Sequence, residues 1–134
     1  MYQSILVPVD LSHPDAARKI LSLARKTGGP DCRVMALNVI EEIPGFIAAE
    51  LPEGLVARNV ADAQETLSAM AADIGAEHEV RIGHASTTIL DYASDMGADL
   101  IVLASHRPGI EDYFLGSTAA RVVRHAACSV LVSR

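Results

Sequence analysis

Short apolar runs rich in β-branched residues alternate along this chain with longer stretches in which apolar positions recur every three or four residues. Runs of the first kind predict strands buried on both faces, and those of the second predict amphipathic helices. Ser4 to Val9 (Ser-Ile-Leu-Val-Pro-Val) is the first strand in this reading. Ser12-His13-Pro14-Asp15 predicts a helix start, with Ser12 as the cap and Asp15 three residues later in the capping-box position. Ala17, Ile20, Leu21 and Ala24 follow at helical spacing, and Gly28-Gly29-Pro30 stops the helix. Arg33 to Val39 predicts the second strand. Residues 41–52 are interrupted by two prolines and a glycine yet carry Ile43, Phe46 and Ile47, which predicts a loop folded back over another part of the molecule.

From Val56, apolar positions at Val60, Ala63, Leu67, Met70 and Ile74 predict the longest helix, ended by Gly75. Glu79 to Ile82 is a third, weaker strand, and Ser86 to Met96 a helix burying Ile89, Leu90, Ala93 and Met96. Asp99 to Ala104 reads as a fourth strand, Ser117 to Ala126 as a helix, and Cys128 to Val132 as the last strand. Five strands alternating with four helices through short connections imply right-handed crossovers and a parallel sheet covered on both faces. The fold class expected is an open doubly wound five-stranded α/β sheet, with residues 1–134 forming a single domain. Ligands of such folds bind outside the carboxyl ends of the strands, where strand order reverses. That rule places a crevice between strands one and four, at Val9-Asp10 and Ala104-Ser105.

Composition narrows the partners. The 134 residues are 50% hydrophobic and 21% charged, enough apolar material for one core and no room for a second. A formal charge of −6 argues against a nucleic-acid partner and against binding to an anionic membrane. No apolar run approaches the roughly 18 residues needed to span a bilayer. With no targeting segment before the first strand, the expected location is cytoplasmic. Residues 1–103 carry 15 acidic and 7 basic side chains, whereas residues 104–134 carry 2 and 4, so an anion site belongs in the C-terminal quarter. Cys32 and Cys128 lack the spacing of a metal knuckle or redox pair and read as buried small hydrophobes. His13, His78, His84 and His125 have no paired spacing and read as solvated or capping residues, and Asp91 with Asp95 reads as a solvated face.

The stretch from Ala104 to Thr118 joins a buried strand to a helix start and carries the candidate chemistry. Gly116 permits close backbone approach, while Ser117 and Thr118 place hydroxyls beside the unpaired N–H groups of the helix, an arrangement suited to an anion. Ser105, His106 and Arg107 add donors from the other side, and Arg107 can fork onto phosphate oxygens. The alternative is a tight turn and an N-cap without a ligand.

This stretch, together with the opening Ile5-Leu6-Val7-Pro8-Val9-Asp10, the run Gly97-Ala98-Asp99-Leu100-Ile101-Val102 and the ending Val122 to Val132, resembles the universal stress proteins in their small single-domain form. The resemblance covers the whole chain and implies a Rossmann-like sheet of the adenine nucleotide alpha hydrolase type. Nucleotide-binding members are similar to one another in a Gly-x-x-Gly, nine residues, then Gly-Ser or Gly-Thr. Here Ala104 stands at the first glycine, Arg107 at the second, and eight residues separate Arg107 from Gly116. A side chain at the second glycine occupies the approach by which backbone N–H groups reach a phosphate. Pro108-Gly109 suits the central positions of a type II turn, so a rebuilt loop would present N–H groups together with Arg107. The Ser-His-Arg-Pro loop also resembles that of a nucleotide-associated subgroup.

Residue by residue, the resemblance implies that Asp10 accepts from the ribose or the adenine amine and that Val9 and Val39 lie against the base. Ala104, Ser105, His106, Arg107, Gly109, Gly116, Ser117 and Thr118 would surround the phosphates. Ordinary core for the two valines and a turn acid for Asp10 remain the alternatives.

Three functions follow. The resemblance favours an ATP-binding stress-response module, with or without Mg²⁺, regulatory rather than enzymatic, whose nucleotide shifts a conformational equilibrium. A nucleotide-free dimeric interaction protein of the same family is the second. The third is an enzyme; an adenylating pyrophosphatase wants a Ser-Gly-Gly-x-Asp-Ser type loop that Val9 to Pro14 does not provide, which leaves a slow ATP hydrolase. An apolar last strand at the sheet edge, with the sequence ending at Arg134, predicts a homodimer paired through Val130 and Val132.

Overall fold

The computed structural model describes residues 1–105 and 116–134. Ile5, Leu6 and Val7 are wholly buried in β1 (Ser4–Pro8), as a run with no polar alternation demands of a central strand. Helix α1 (Pro14–Gly28) buries Ala17, Ile20, Leu21 and Ala24 against it, and β2 (Arg33–Glu41) follows. A single turn, α2 (Gly45–Ala48), precedes the long α3 (Leu55–Asp73). Then come β3 (Glu77–Gly83), α4 (Ala85–Met96), β4 (Leu100–Ala104), α5 (Ser117–His125) and β5 (Ser129–Ser133).

All strand pairings are parallel and the sheet order is β3-β2-β1-β4-β5. The chain winds outward from β1 in one direction through β2 and β3, then returns to add β4 and β5 on the other side. This is the open doubly wound α/β architecture. One core lies between the sheet and α1 with α3, around Ile5, Val7, Leu21, Val34 and Leu67. The second lies under α4 and α5, around Leu6, Leu37, Ile89, Ile101 and Val122. Alternate residues of β1 thus serve opposite cores.

Polar groups fix the ends of these elements. The Asp99 carboxylate accepts from the Gln3 and Ser4 N–H groups at 2.9 and 3.0 Å, which pins the start of β1 beside β4. Those bonds hold its pKa below the ordinary carboxylate value, with the chain's amino terminus adding to the effect. The Arg25 guanidinium donates to the carbonyls of Gly29, Cys32, Ile74 and Gly75 at 2.7 to 2.9 Å. It therefore closes the carboxyl ends of both α1 and α3 and ties them to the strand that follows.

Several expectations are corrected. Among the described residues there are five helices rather than four, the addition being the short α2 inside the 41–52 loop. That loop does not fold back over the molecule: Phe46 is 77% and Ile47 43% exposed. Along α3 only Leu67, Met70 and Ala71 are fully buried; Val60, Ala63 and Ile74 are half-buried and Val56 is exposed. Helix α1 does end at Gly28-Gly29, as expected: Gly28 is the last helical residue and Gly29, at φ +83°, makes the break. Cys32 is buried as expected, whereas Cys128 is only half-buried.

Candidate functional site

Pairing between β1 and β4 is confined to Ile5 with Leu100 and Leu6 with Ile101, while β1 stays registered with β2 through Pro8. In a parallel strand the N–H and C=O of a residue face the same neighbour and successive residues alternate. Val9 donates to the Leu37 carbonyl of β2 at 2.9 Å, so position 8 faces β4. Proline there has no N–H to give, and the two strands part. Their separation opens a crevice at the carboxyl edge of the sheet, where strand order reverses.

The crevice has a volume of about 610 Å³, within the range of small-molecule sites. Three helix N-termini converge on it: His13 and Ala17 from α1, Ala85 from α4, and Ser117 with Thr118 from α5. Of the residues singled out in the sequence, Val9, Asp10, Val39, Ala104, Ser105, Gly116, Ser117 and Thr118 line it. The remaining three, His106, Arg107 and Gly109, lie outside the described residues.

Val9 is buried and Asp10 exposed at the mouth. The Asp10 carboxylate accepts from the Ser12 N–H at 3.0 Å and from the Ser12 hydroxyl at 2.5 Å. Ser12 is therefore not the helix cap. His13 occupies that position without a side-chain capping bond, while the Asp10 carbonyl accepts from the His13 N–H at 3.3 Å.

On the opposite wall, buried Ser105 accepts from the Gly116 N–H at 2.8 Å through its carbonyl and donates through its own N–H to Ser133 at 2.9 Å. A β-carbon on Gly116 would lie 3.2 Å from the Ser105 carbonyl oxygen, tight against an unyielding backbone atom. Beyond Gly116, the first N–H groups of α5 have no partner within the helix, and no side chain among the described residues caps them. They present partial positive charge to the crevice.

Sequence reasoning missed Asn38, His13, Glu41 and Ala85 as lining residues. Asn38 offered a signal, being the one polar side chain inside the run from Val34 to Val39. It is 92% buried, and its amide nitrogen donates to the Val9 carbonyl at 3.0 Å. Glu41 accepts from the Ala85 N–H at 3.2 Å, joining the end of β2 to the start of α4. That contact depends on two strands' spacing and could not be read locally.

A five-stranded parallel sheet whose order reverses at such a crevice defines an open doubly wound α/β domain. The model of the Universal stress protein family matches residues 1–134, and the chain belongs to that family. It is 30% identical to universal stress protein G of Shigella flexneri over 147 residues, covering all of both chains. It is 31% identical to universal stress protein MJ0531 of Methanocaldococcus jannaschii, covering 98% of this chain and 82% of that protein. Among solved structures it resembles hypothetical protein MJ0577 (TM-score 0.80, 25% identity, 98% and 95% of the two chains covered). It also resembles UspA from Lactobacillus plantarum (0.73, 29%, 99% and 98%). The same fold occurs in a universal stress protein solved in complex with cAMP (0.71, 16%, 99% and 97%) and in one from Archaeoglobus fulgidus in complex with dAMP (0.67, 23%, 99% and 98%).

Proposed function

We propose that the crevice is an adenine-nucleotide site and that the protein is an ATP-binding regulatory module of the stress response, cytoplasmic and without catalytic turnover of its own. The observation that carries this reading is the convergence on one crevice of Val9, Asp10 and Val39 from the β1–β2 side with Gly116, Ser117 and Thr118 from the α5 side. Apolar residues flank the first group, and the amino terminus of α5, whose first N–H groups have no partner within the helix, marks the second. The ends of β2 and β4 lie on either side of β1, about 10 Å apart at normal strand spacing. An extended nucleotide spans that distance, with its base against Val39 and its phosphates at Ser117. His106, Arg107 and Gly109 belong to the phosphate end in this reading, with Mg²⁺ accompanying ATP or not. The adenine nucleotides held by two proteins of this fold accord with it.

Binding of ATP exerts its effect through differential affinity for two arrangements of the protein. In the same proposal the chain works as a homodimer joined through β5, the edge strand on which Leu131 is exposed and Val130 and Val132 are half-buried. Nucleic acid and membrane insertion play no part in it; no helix among the described residues is long and apolar enough to cross a membrane.

Calorimetric titration of nucleotide-stripped protein with ATP, with and without Mg²⁺, tests the site. We expect micromolar binding that Gly116→Val abolishes, because the branched side chain presses on the Ser105 carbonyl and shifts the α5 terminus. Silence in the wild-type titration overturns the nucleotide reading in favour of a nucleotide-free dimer, and rapid release of phosphate replaces it with an ATP hydrolase. A monomeric mass by light scattering overturns the dimer.

A further inference from the structure

The sheet order leaves β3 at the edge opposite β5. The Leu37 backbone faces β1, where its carbonyl accepts from Val9, so the Asn38 backbone faces β3. With Asn38 opposite Val80, those bonds run to Glu79 and Arg81. The N–H and C=O groups of His78, Val80 and Ile82 therefore point away from the sheet. Over Glu77–Gly83 there is no proline, no lysine and no break in the register with β2, so the usual means of blunting an edge are missing. Exposed apolar side chains gather beside this edge. Ile82, 50% exposed, shares a groove with Leu51, Val56 and Val60, and Phe46 and Ile47 stand exposed on the adjoining α2.

We propose that this edge takes a second copy of the same chain, the two β3 strands pairing antiparallel about a two-fold axis at Val80. In that register Val80 meets Val80 and His78 meets Ile82, so all the outward backbone groups of both strands are bonded. Glu79 then stands opposite Arg81 of the other copy, twice, at the non-hydrogen-bonded positions where opposed side chains are closest. Moving the axis by one residue sets Glu79 against Glu79 or Arg81 against Arg81, so charge selects the register. Arg81 is already oriented for this. Its guanidinium lies 4.5 Å from the centre of the Tyr92 ring, and its Nε donates to Glu79 of its own chain at 2.5 Å. The two terminal nitrogens have no acceptor among the described residues and are free for the second carboxylate. On the other face, Val80 packs in the core under α3, so the two-fold axis sets the α3 helices and their apolar grooves side by side. The contact is separate from pairing through β5 and independent of the nucleotide reading.

Sedimentation velocity over a range of concentrations tests this with the wild type, Glu79→Arg, Arg81→Glu and the double reversal. The Glu79 and Arg81 side chains are 40% and 43% exposed, so reversing them leaves the core untouched. Each single reversal sets like charges at both close positions and should raise the dissociation constant of this step at least about tenfold. The double reversal should restore it. It also restores the pair within each chain, so the deciding sample is an equimolar mixture of the two single variants. There every contact between copies is again Arg against Glu while the pair within each chain stays broken, and the mixture should associate one to one. If β5 pairing also holds, the wild type reads as a tetramer or larger and the single variants as dimers; if it does not, they read as a dimer and as monomers. A wild type with the same mass as both single variants overturns the β3 contact and leaves β5 pairing standing. Single variants that dissociate but do not recover on mixing overturn it as well, since the effect then arises within one chain.

Discussion

Arg25 is the side chain whose removal should cost this fold most for its degree of exposure. Its guanidinium donates to four carbonyls: Gly29 and Cys32 from one nitrogen, Ile74 and Gly75 from the other two. Those acceptors belong to the carboxyl ends of α1 and α3 and to the segment leading into β2. Charged hydrogen bonds contribute about 1.5–3 kcal/mol each when shielded, but the bond to Gly75 is exposed and water replaces it readily. Discounting the outer contacts, Arg25→Met, which keeps the apolar stem, should destabilise the protein by about 2–4 kcal/mol. Urea denaturation followed by circular dichroism reads this directly. With a slope of about 2 kcal/mol per molar, the midpoint should fall by about 1–2 M at unchanged slope. Arg25→Lys should recover less than half, because one ammonium cannot reach carbonyls from three segments. A midpoint drop below about 0.3 M, or full rescue by lysine, would refute the reasoning.

Two further outcomes follow from the same structure. Because the folded pKa of Asp99 lies below its unfolded value of 3.8, its contribution is complete above that value and is lost as pH falls through the folded pKa. Stability of the wild type should therefore fall more steeply than that of Asp99→Asn below about pH 4, measured by urea midpoints across pH; parallel profiles would contradict the assignment. Gly28→Ala should destabilise by about 1–3 kcal/mol despite alanine's better helix propensity. A β-carbon there would sit 2.5 Å from the Cys32 Sγ and 2.8 Å from the Ile5 Cδ1. An unchanged or raised melting temperature would show that the corner relaxes freely.

The legible parts of the fold were those in which one segment carries its whole signal. The buried strands β1 and β4 announce themselves as unbroken apolar runs, and α1 shows its face in Ala17, Ile20, Leu21 and Ala24. Less legible were features that depend on where a segment ends relative to its neighbours. Helix α3 has a regular stripe over five turns, yet only Leu67, Met70 and Ala71 in its second half are fully buried. Ser12 has the residue type and spacing of a cap, but Asp10 captures its hydroxyl first, a competition between two local partners that spacing alone does not rank. In the crevice, the glycine, the two hydroxyls and the terminal acid of β1 were recognisable by type, whereas Glu41 and Ala85 meet only across the gap between β2 and α4.

What the sequence determined by itself is the alternation of buried strands with amphipathic helices, and from that a parallel sheet with a crevice where its order reverses, because hydrophobic period and short connections permit little else. Tertiary structure decided how the crevice is furnished. It turned Pro8 from a residue within a strand into the missing donor that parts β1 from β4. It also turned Asn38 from a polar interruption into the group that holds the Val9 carbonyl. Both outcomes follow from which neighbour each backbone group faces, and that is settled only when the strands lie side by side.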